Sequence, residues 1–85
     1  MRITLSKFEQ AILFQQNPTT ERKGGFQGLL VKLQRKLDSQ TGIIDLTERD
    51  LERIRRYAFD YGNGGWEGRL KSIFERSLGP NLDLN

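Results

Sequence analysis

The chain contains no histidine and no cysteine. The commonest general base and the strongest nucleophile are therefore missing, along with the imidazole and thiolate groups that hold most zinc ions. Disulfide staples are excluded as well. These absences point to a non-enzymatic protein with no cofactor and no metal, and they suit a reducing cytoplasm. No apolar run approaches the roughly 20 residues that a membrane span needs, so no membrane partner is expected. The opening MRITLSKFEQ lacks the apolar stretch and small-residue cleavage site of a secretory signal, and the mature protein is expected to begin near Met1. Acidic residues are in slight deficit, eleven against fourteen Lys and Arg, for a net charge of +3. An excess this mild permits contact with nucleic acid without requiring it.

What is present is a series of amphipathic segments with recognisable ends. Ser6 and Glu9 have capping-box spacing, which predicts a first helix from Lys7 to Gln16, closed by Asn17 and Pro18. Its expected buried residues are Phe8, Ala11 and Ile12, together with Leu5 and Gln15 and widened by Leu13 and Phe14. The polar stretch NPTTERK leads to a second helix, Phe26 to Ser39, with Phe26, Leu29, Leu30, Leu33 and Leu37 on one stripe. Thr41 and Gly42 stop it. The β-branched GIIDL reads as a short strand, and Thr47 with Asp50 repeats the capping spacing before a third helix, Glu48 to Tyr61. That helix carries Leu51, Ile54, Ala58 and Tyr61 on its apolar stripe with Tyr57 beside it, and Gly62 and Asn63 suit its C-cap. A fourth helix, Trp66 to Leu78, is expected to bury Trp66, Leu70, Ile73 and Phe74 or Leu78. Gly79 and Pro80 end it, and 81–85 reads as a flexible tail.

Glycine is plentiful, nine residues, and two groups of it repeat as GGFQG and GGWEG. Laying Gly24, Gly25, Gly28 and Leu30 on Gly64, Gly65, Gly68 and Leu70 also brings Ile3, Leu5 and Ser6 near Ile44, Leu46 and Thr47. The expectation is one domain over 1–85 with half-repeats 3–42 and 44–80. Its fold class is mainly α: four helices as two pseudo-symmetric helical hairpins, an internal duplication, with a short two-stranded β-ribbon formed by the Ile-x-Leu segments. Gly24, Gly25, Gly64 and Gly65 read as sharp positive-φ joints. Gly28 and Gly68 fall inside first helical turns, where each costs up to about 1 kcal/mol relative to Ala. Something from the opposite half, a helix or an aromatic ring, is expected to pack on them. The competing reading of the joints is a phosphate cradle helped by Arg22 and Lys23, but no strand leads in and no Gly-Lys-Ser or Gly-Lys-Thr follows.

Three further constellations compete for function. The third helix carries Arg49, Arg53 and Arg56 at i, i+4, i+7, with Arg55 nearby, an arrangement suited to successive phosphates. Lys32, Arg35 and Lys36 on the second helix and Arg69, Lys71 and Arg76 on the fourth add outer positive charge, while Glu48 and Glu52 dilute the arginine stripe. Phe59 falls off the apolar stripe of the third helix, and an exposed Phe beside arginines has the composition of a protein-binding hot spot. Asp60, Asn63 and Glu67 around DYGNGGWE form the best acidic cluster, with Glu67 read as a favourable charge at a helix N-terminus and not as a metal ligand.

At GGFQGLLVKLQ and DLERIRRYAFDYGNGGWEGRLKSIFERSLG the chain resembles small accessory proteins encoded by phages and other mobile elements. The resemblance spans most of the chain and carries no catalytic residue. It implies a protein that acts by binding, as do inhibitors of host defence nucleases, anti-CRISPR proteins among them, and phage transcription regulators. Two expectations follow. One is a protein-interaction module, monomer or homodimer, that engages a host protein complex through the third helix and Phe59. The other is a basic nucleic-acid-binding protein that holds phosphates with Arg49, Arg53, Arg55 and Arg56.

Overall fold

The elements run β1 (Arg2–Thr4), α1 (Lys7–Leu13), a 3-10 helix (Pro18–Lys23), α2 (Gly25–Lys36), β2 (Ile43–Asp45), α3 (Glu48–Phe59) and α4 (Gly64–Leu78). The structure, a computed structural model, describes residues 1–59 and 64–82, apart from the side chains of residues 20, 21, 23 and 64–67. It is mainly helical with one small antiparallel sheet, and the order β-α-α occurs twice. The two strands pair with each other in the register Arg2↔Asp45, Ile3↔Ile44 and Thr4↔Ile43, as the Ile-x-Leu segments suggested. Backbone bonds from Leu5 N to Gly42 O (2.8 Å) and from Leu46 N to Met1 O (2.7 Å) extend the ribbon at its ends. Gly42 makes that closure possible. Its φ is +78°, and a Cβ there would stand 2.6 Å from the Leu5 carbonyl oxygen, so no larger residue fits.

Helix α2 supplies much of the core because its apolar residues recur on one continuous face. Phe26, Leu29, Leu30, Leu33 and Leu37 are buried as their spacing predicts, and Val31 joins them. Leu51, Ile54 and Ala58 of α3 and Leu70, Ile73 and Phe74 of α4 close over them, with Leu78 packed at the margin. The Phe26 and Tyr57 rings meet edge to face, centroids 6.2 Å apart. Tyr61, Gly62 and Asn63, and the Trp66 side chain, lie outside the described residues.

Several expectations change, among them the end of α2, which stops at Lys36 and not Ser39. Helix α1 ends at Leu13, not Gln16, and the connector after it is partly wound as the 3-10 helix. The apolar phase of α1 also differs. Phe8 is 73% exposed and Phe14 48%, Ala11 and Gln15 are exposed and Ile12 is half-buried, whereas Glu9 and Leu13 point inward. Residues 81–85 are not a tail throughout: Leu82, at φ +51°, is buried in the core and its amide donates to Gly79 O. Finally, Gly68 has no atom within 4 Å of its would-be Cβ, so nothing from the opposite half packs there. At Gly25 the Tyr57 hydroxyl of α3 lies 3.5 Å from that point, an ordinary van der Waals contact. Gly24 and Gly25 do take the positive φ of a joint, +63° and +56°.

The phase of α1 has an identifiable cause. Ser6 Oγ accepts from Glu9 N at 3.1 Å, and Ser6 N donates to Glu9 Oε1 at 2.7 Å, a complete capping box. Arg76 of α4 then grips the same carboxylate with two bonds, Nη2 to Oε1 at 2.9 Å and Nε to Oε2 at 3.2 Å, and donates again to Thr4 O at 2.7 Å. Glu9 is thereby held against α4, and Phe8, its neighbour around the helix, is turned outward. Thr47 and Asp50 build the equivalent box on α3, with 3.0 Å and 3.1 Å bonds. Here the carboxylate, fully buried, is gripped by Lys36 of α2 through Oδ2, while Lys32 Nζ stands 3.4 Å from Oδ1. Oδ1 has no hydrogen-bond partner among the described residues, so the Lys32 charge is what stabilises it. When Gly24 is laid on Gly64, Lys36 falls on Arg76. Each capping carboxylate is therefore neutralised by a cation from a distant helix, Glu9 by Arg76 of α4 and Asp50 by Lys36 of α2.

Burial alone would raise the Asp50 pKa, but the Lys36 hydrogen bond, the Thr47 amide and hydroxyl and the Lys36 charge together bring it down to about 2. Burial likewise opposes the bonds from Arg76 and Ser6 at Glu9, and the net effect is also downward. A carboxyl whose folded pKa lies below its unfolded one stabilises the fold above the unfolded value and loses that contribution as pH falls through the folded value. The Asp50 contribution is therefore lost between its ordinary 3.8 and about 2. The stability gap between the wild type and Asp50→Asn, followed by urea denaturation, should shrink across that window. At neutral pH Lys36→Met should destabilise by about 2 kcal/mol, because it leaves a buried carboxylate short of its main partner. Arg56→Met, at an exposed pair, should change stability by no more than about 0.5 kcal/mol. Gly68→Ala should stabilise by roughly 0.5 to 1 kcal/mol, since the helix gains and nothing is displaced. A loss of stability in that variant would show that the position is crowded after all.

Candidate functional site

The fold decides which cations are free to act on a partner. Lys32 and Lys36, expected on an outer face of α2, are committed to Asp50. Arg76 is committed to Glu9. Arg69 donates to the Gln16 amide oxygen at 3.2 Å and lies 5.9 Å from the Phe26 ring centroid. Lys71 Nζ sits 5.1 Å from the centroid of Phe59, and Arg2 pairs with Asp45 at 3.5 Å. On α3 the pattern reverses. Of its arginines only Arg56 has an ionic partner among the described residues, Glu52 at 2.7 Å. Arg49, Arg53 and Arg55 have none, and neither does Glu48.

Helix α3 holds these arginines outward because its inner face is fixed twice, by Leu51, Ile54 and Ala58 in the core and by the Asp50 cap against α2. Arg49, Arg53 and Arg56 form one ridge, and Arg55 stands on the far side of the outer face. All four line one open groove of about 910 Å³, together with Met1, Leu46 and the two carboxylates Glu48 and Glu52. Its formal charge from these side chains is positive. The groove thus offers guanidinium forks at several angles on a rigid helix, which is the chemistry that binds phosphate or carboxylate oxygens.

Phe59 is 37% exposed at the end of α3, and Lys71 braces its ring by a cation–π contact. It is not among the residues that line the groove. The glycine joints form no part of this site. Gly24 and Gly25 are occupied with the turn into α2 and the Tyr57 contact. Gly64 and Gly65 open α4. The acidic cluster of Asp60, Asn63 and Glu67 falls outside the described residues and side chains. Two features of the surface went unread in the sequence: the exposed Phe8 of α1 and Phe14 at its C-cap, and the engagement of six other cations, Arg2, Lys32, Lys36, Arg69, Lys71 and Arg76, in contacts within the chain. A signal for the second was present in the capping spacings Ser6–Glu9 and Thr47–Asp50, which draw a carboxylate inward where it requires a cation.

No known protein family, curated protein or solved structure matches this chain.

Proposed function

We propose that this protein is a non-catalytic binding module and that the α3 arginine face takes the phosphates of a nucleic-acid backbone. The observation that carries the proposal is the allocation of charge: Arg49, Arg53 and Arg55 have no ionic partner among the described residues and share a groove with Arg56. Seven residues separate Arg49 from Arg56, a rise of about 10 Å, over which one DNA strand presents about three phosphates. Glu48 and Glu52 occupy the same outer face and oppose burial of α3 in a groove, where base edges are read. The contacts are therefore to the backbone, which positions without specifying sequence. The chain's lack of His and Cys supports the non-catalytic part of the reading. We also propose that the two β-α-α halves are pseudo-symmetric hairpins, with the exchanged Arg76 and Lys36 clamps as support.

A second reading has its own observation. The braced, half-open Phe59 ring is pre-ordered for a partner protein, and the resemblance to mobile-element accessory proteins suggests a host defence complex as that partner. The two readings separate by experiment. Affinity for a mixed-sequence duplex, measured by fluorescence anisotropy, should fall with a log–log salt slope of about −3, as expected for three phosphate contacts. The double change Arg53→Glu with Arg56→Glu should abolish binding while Phe59→Ala leaves it unchanged. No binding at about 50 mM salt would remove the phosphate reading, since that term is strongest at low ionic strength. Capture of a host complex that Phe59→Ala abolishes and the arginine changes spare would establish the second reading.

A further inference from the structure

The arginines of α3 leave the helix in opposed directions. Residues two apart on a helix diverge by about 160°, so Arg53 and Arg55 stand on opposite flanks of the outer face. Ile54 between them is fully buried, which fixes that division. Arg53 belongs to the ridge it shares with Arg49 and Arg56, whereas Arg55 stands alone. Both flanking arginines are half-buried, so their stems lie along the body of the protein and their forks are directed sideways. Glu52 lies between the flanks, about 60° around the helix from Arg55 and about 100° from Arg53, and Glu48 lies one turn before it. The four arginines and both glutamates line a single open groove of about 910 Å³, so one ligand body seated there meets both flanks.

We infer that this face takes double-stranded nucleic acid, with Arg49 and Arg53 on the backbone of one strand and Arg55 on the backbone of the other. The inference rests on the phosphate reading and adds to it the kind of nucleic acid. A single strand offers one row of phosphates, which follows one flank and leaves the other unused. A duplex offers two rows. They border a major groove about 12 Å wide, which matches the about 10 to 12 Å across a helix with its side chains. Anions aligned along the centre of the face would run over Glu48 and Glu52, whereas two separated rows leave that line clear. The same carboxylates hold α3 on the rims of the groove and off the base edges, so the contact registers backbone geometry and not sequence. Arg56 is engaged by Glu52 at 2.7 Å, which leaves Arg49, Arg53 and Arg55 to make the three phosphate contacts.

Fluorescence anisotropy of the full chain tests the two-strand contact with a mixed-sequence DNA duplex of about 16 base pairs and with one of its strands alone, both at about 50 mM salt. Any cationic surface favours the denser charge of a duplex, so the measurement that decides is how each variant changes the ratio of the two affinities. Arg55→Gln should lower the duplex-to-strand ratio about tenfold and reduce the duplex salt slope by about one, the share of one phosphate contact. Arg53→Gln should weaken both probes and keep the ratio within about twofold, because a strand alone uses the same ridge. Arg55→Lys keeps a charge that phosphate accepts and should restore most of the ratio. Lys7→Gln removes the same charge from α1, outside the groove, and should leave the ratio unchanged. Gln and Lys are both good helix formers, so every variant should show the helical circular dichroism of the wild type.

A ratio that Arg55→Gln leaves at the wild-type value, or that Lys7→Gln lowers equally, would overturn the two-strand contact while the phosphate reading stands. A wild type that holds the single strand as tightly as the duplex would do the same. Absence of binding to either probe would remove both the phosphate reading and the inference built on it.

Discussion

Two buried carboxylates organise this molecule. Glu9 and Asp50 each complete a capping box at the start of a helix, which draws the carboxylate in towards the backbone and out of water. A lone ionised group in that position is strongly unfavourable, so each requires a cation of good geometry close by. The cation comes in each case from the other half of the chain, Arg76 for Glu9 and Lys36 for Asp50. Local helix initiation is thereby tied to the docking of distant segments. The β1–β2 ribbon and the core shared by α2, α3 and α4 close the same halves together by hydrophobic contact and backbone hydrogen bonds, but those forces leave helix rotation loosely determined. The ion pairs fix it together with the apolar stripes, as at α3.

The surface follows from that choice. Because Glu9 faces α4, Phe8 and Phe14 face solvent; because Asp50 faces α2, the arginines of α3 face solvent too. The interior cations are consumed in making the arrangement, whereas Arg49, Arg53 and Arg55 of α3 have no ionic partner among the described residues. The two first helices therefore present contrasting outer faces, one aromatic and one cationic, on a domain too small to hold many independent surfaces. The modest net charge of the chain conceals this separation, since the excess is concentrated on a single helix after internal pairing.

The parts of the fold that were legible in the sequence are those in which local pattern and tertiary environment agree. Helix α2 has five apolar residues in phase over twelve positions, and all five are buried. The stripe Leu51, Ile54 and Ala58 and the two capping boxes were equally plain. Helix α1 was misread because seven residues hardly fix a phase, and because its buried face contains a glutamate where hydrophobicity says to look for phenylalanine. Gln34 was missed for a related reason: its buried amide donates to Leu13 O and Gln16 O, closing the end of α1 from a helix far along the chain. Leu82 looked like part of a tail because a single apolar residue after Gly-Pro has no period to declare it. For the site, the positions of Arg49, Arg53, Arg55 and Arg56 could be read from spacing alone. That three of them lack an ionic partner among the described residues could not, since it depends on where Glu48, Glu52 and the lysines of α2 come to rest.

The exchanged clamps also constrain how the sequence can drift. A change at position 9 is felt at 76, and a change at 50 is felt at 36, although each pair lies far apart along the chain. Charge reversal or neutralisation on one side leaves a stranded ion on the other, so descendants of this chain should alter the two members together or keep both. The Glu52–Arg56 pair on the exposed face carries no such penalty, and its members can wander independently. Heredity should therefore record the interior pairs as linked columns and leave the arginine face free to follow whatever it binds.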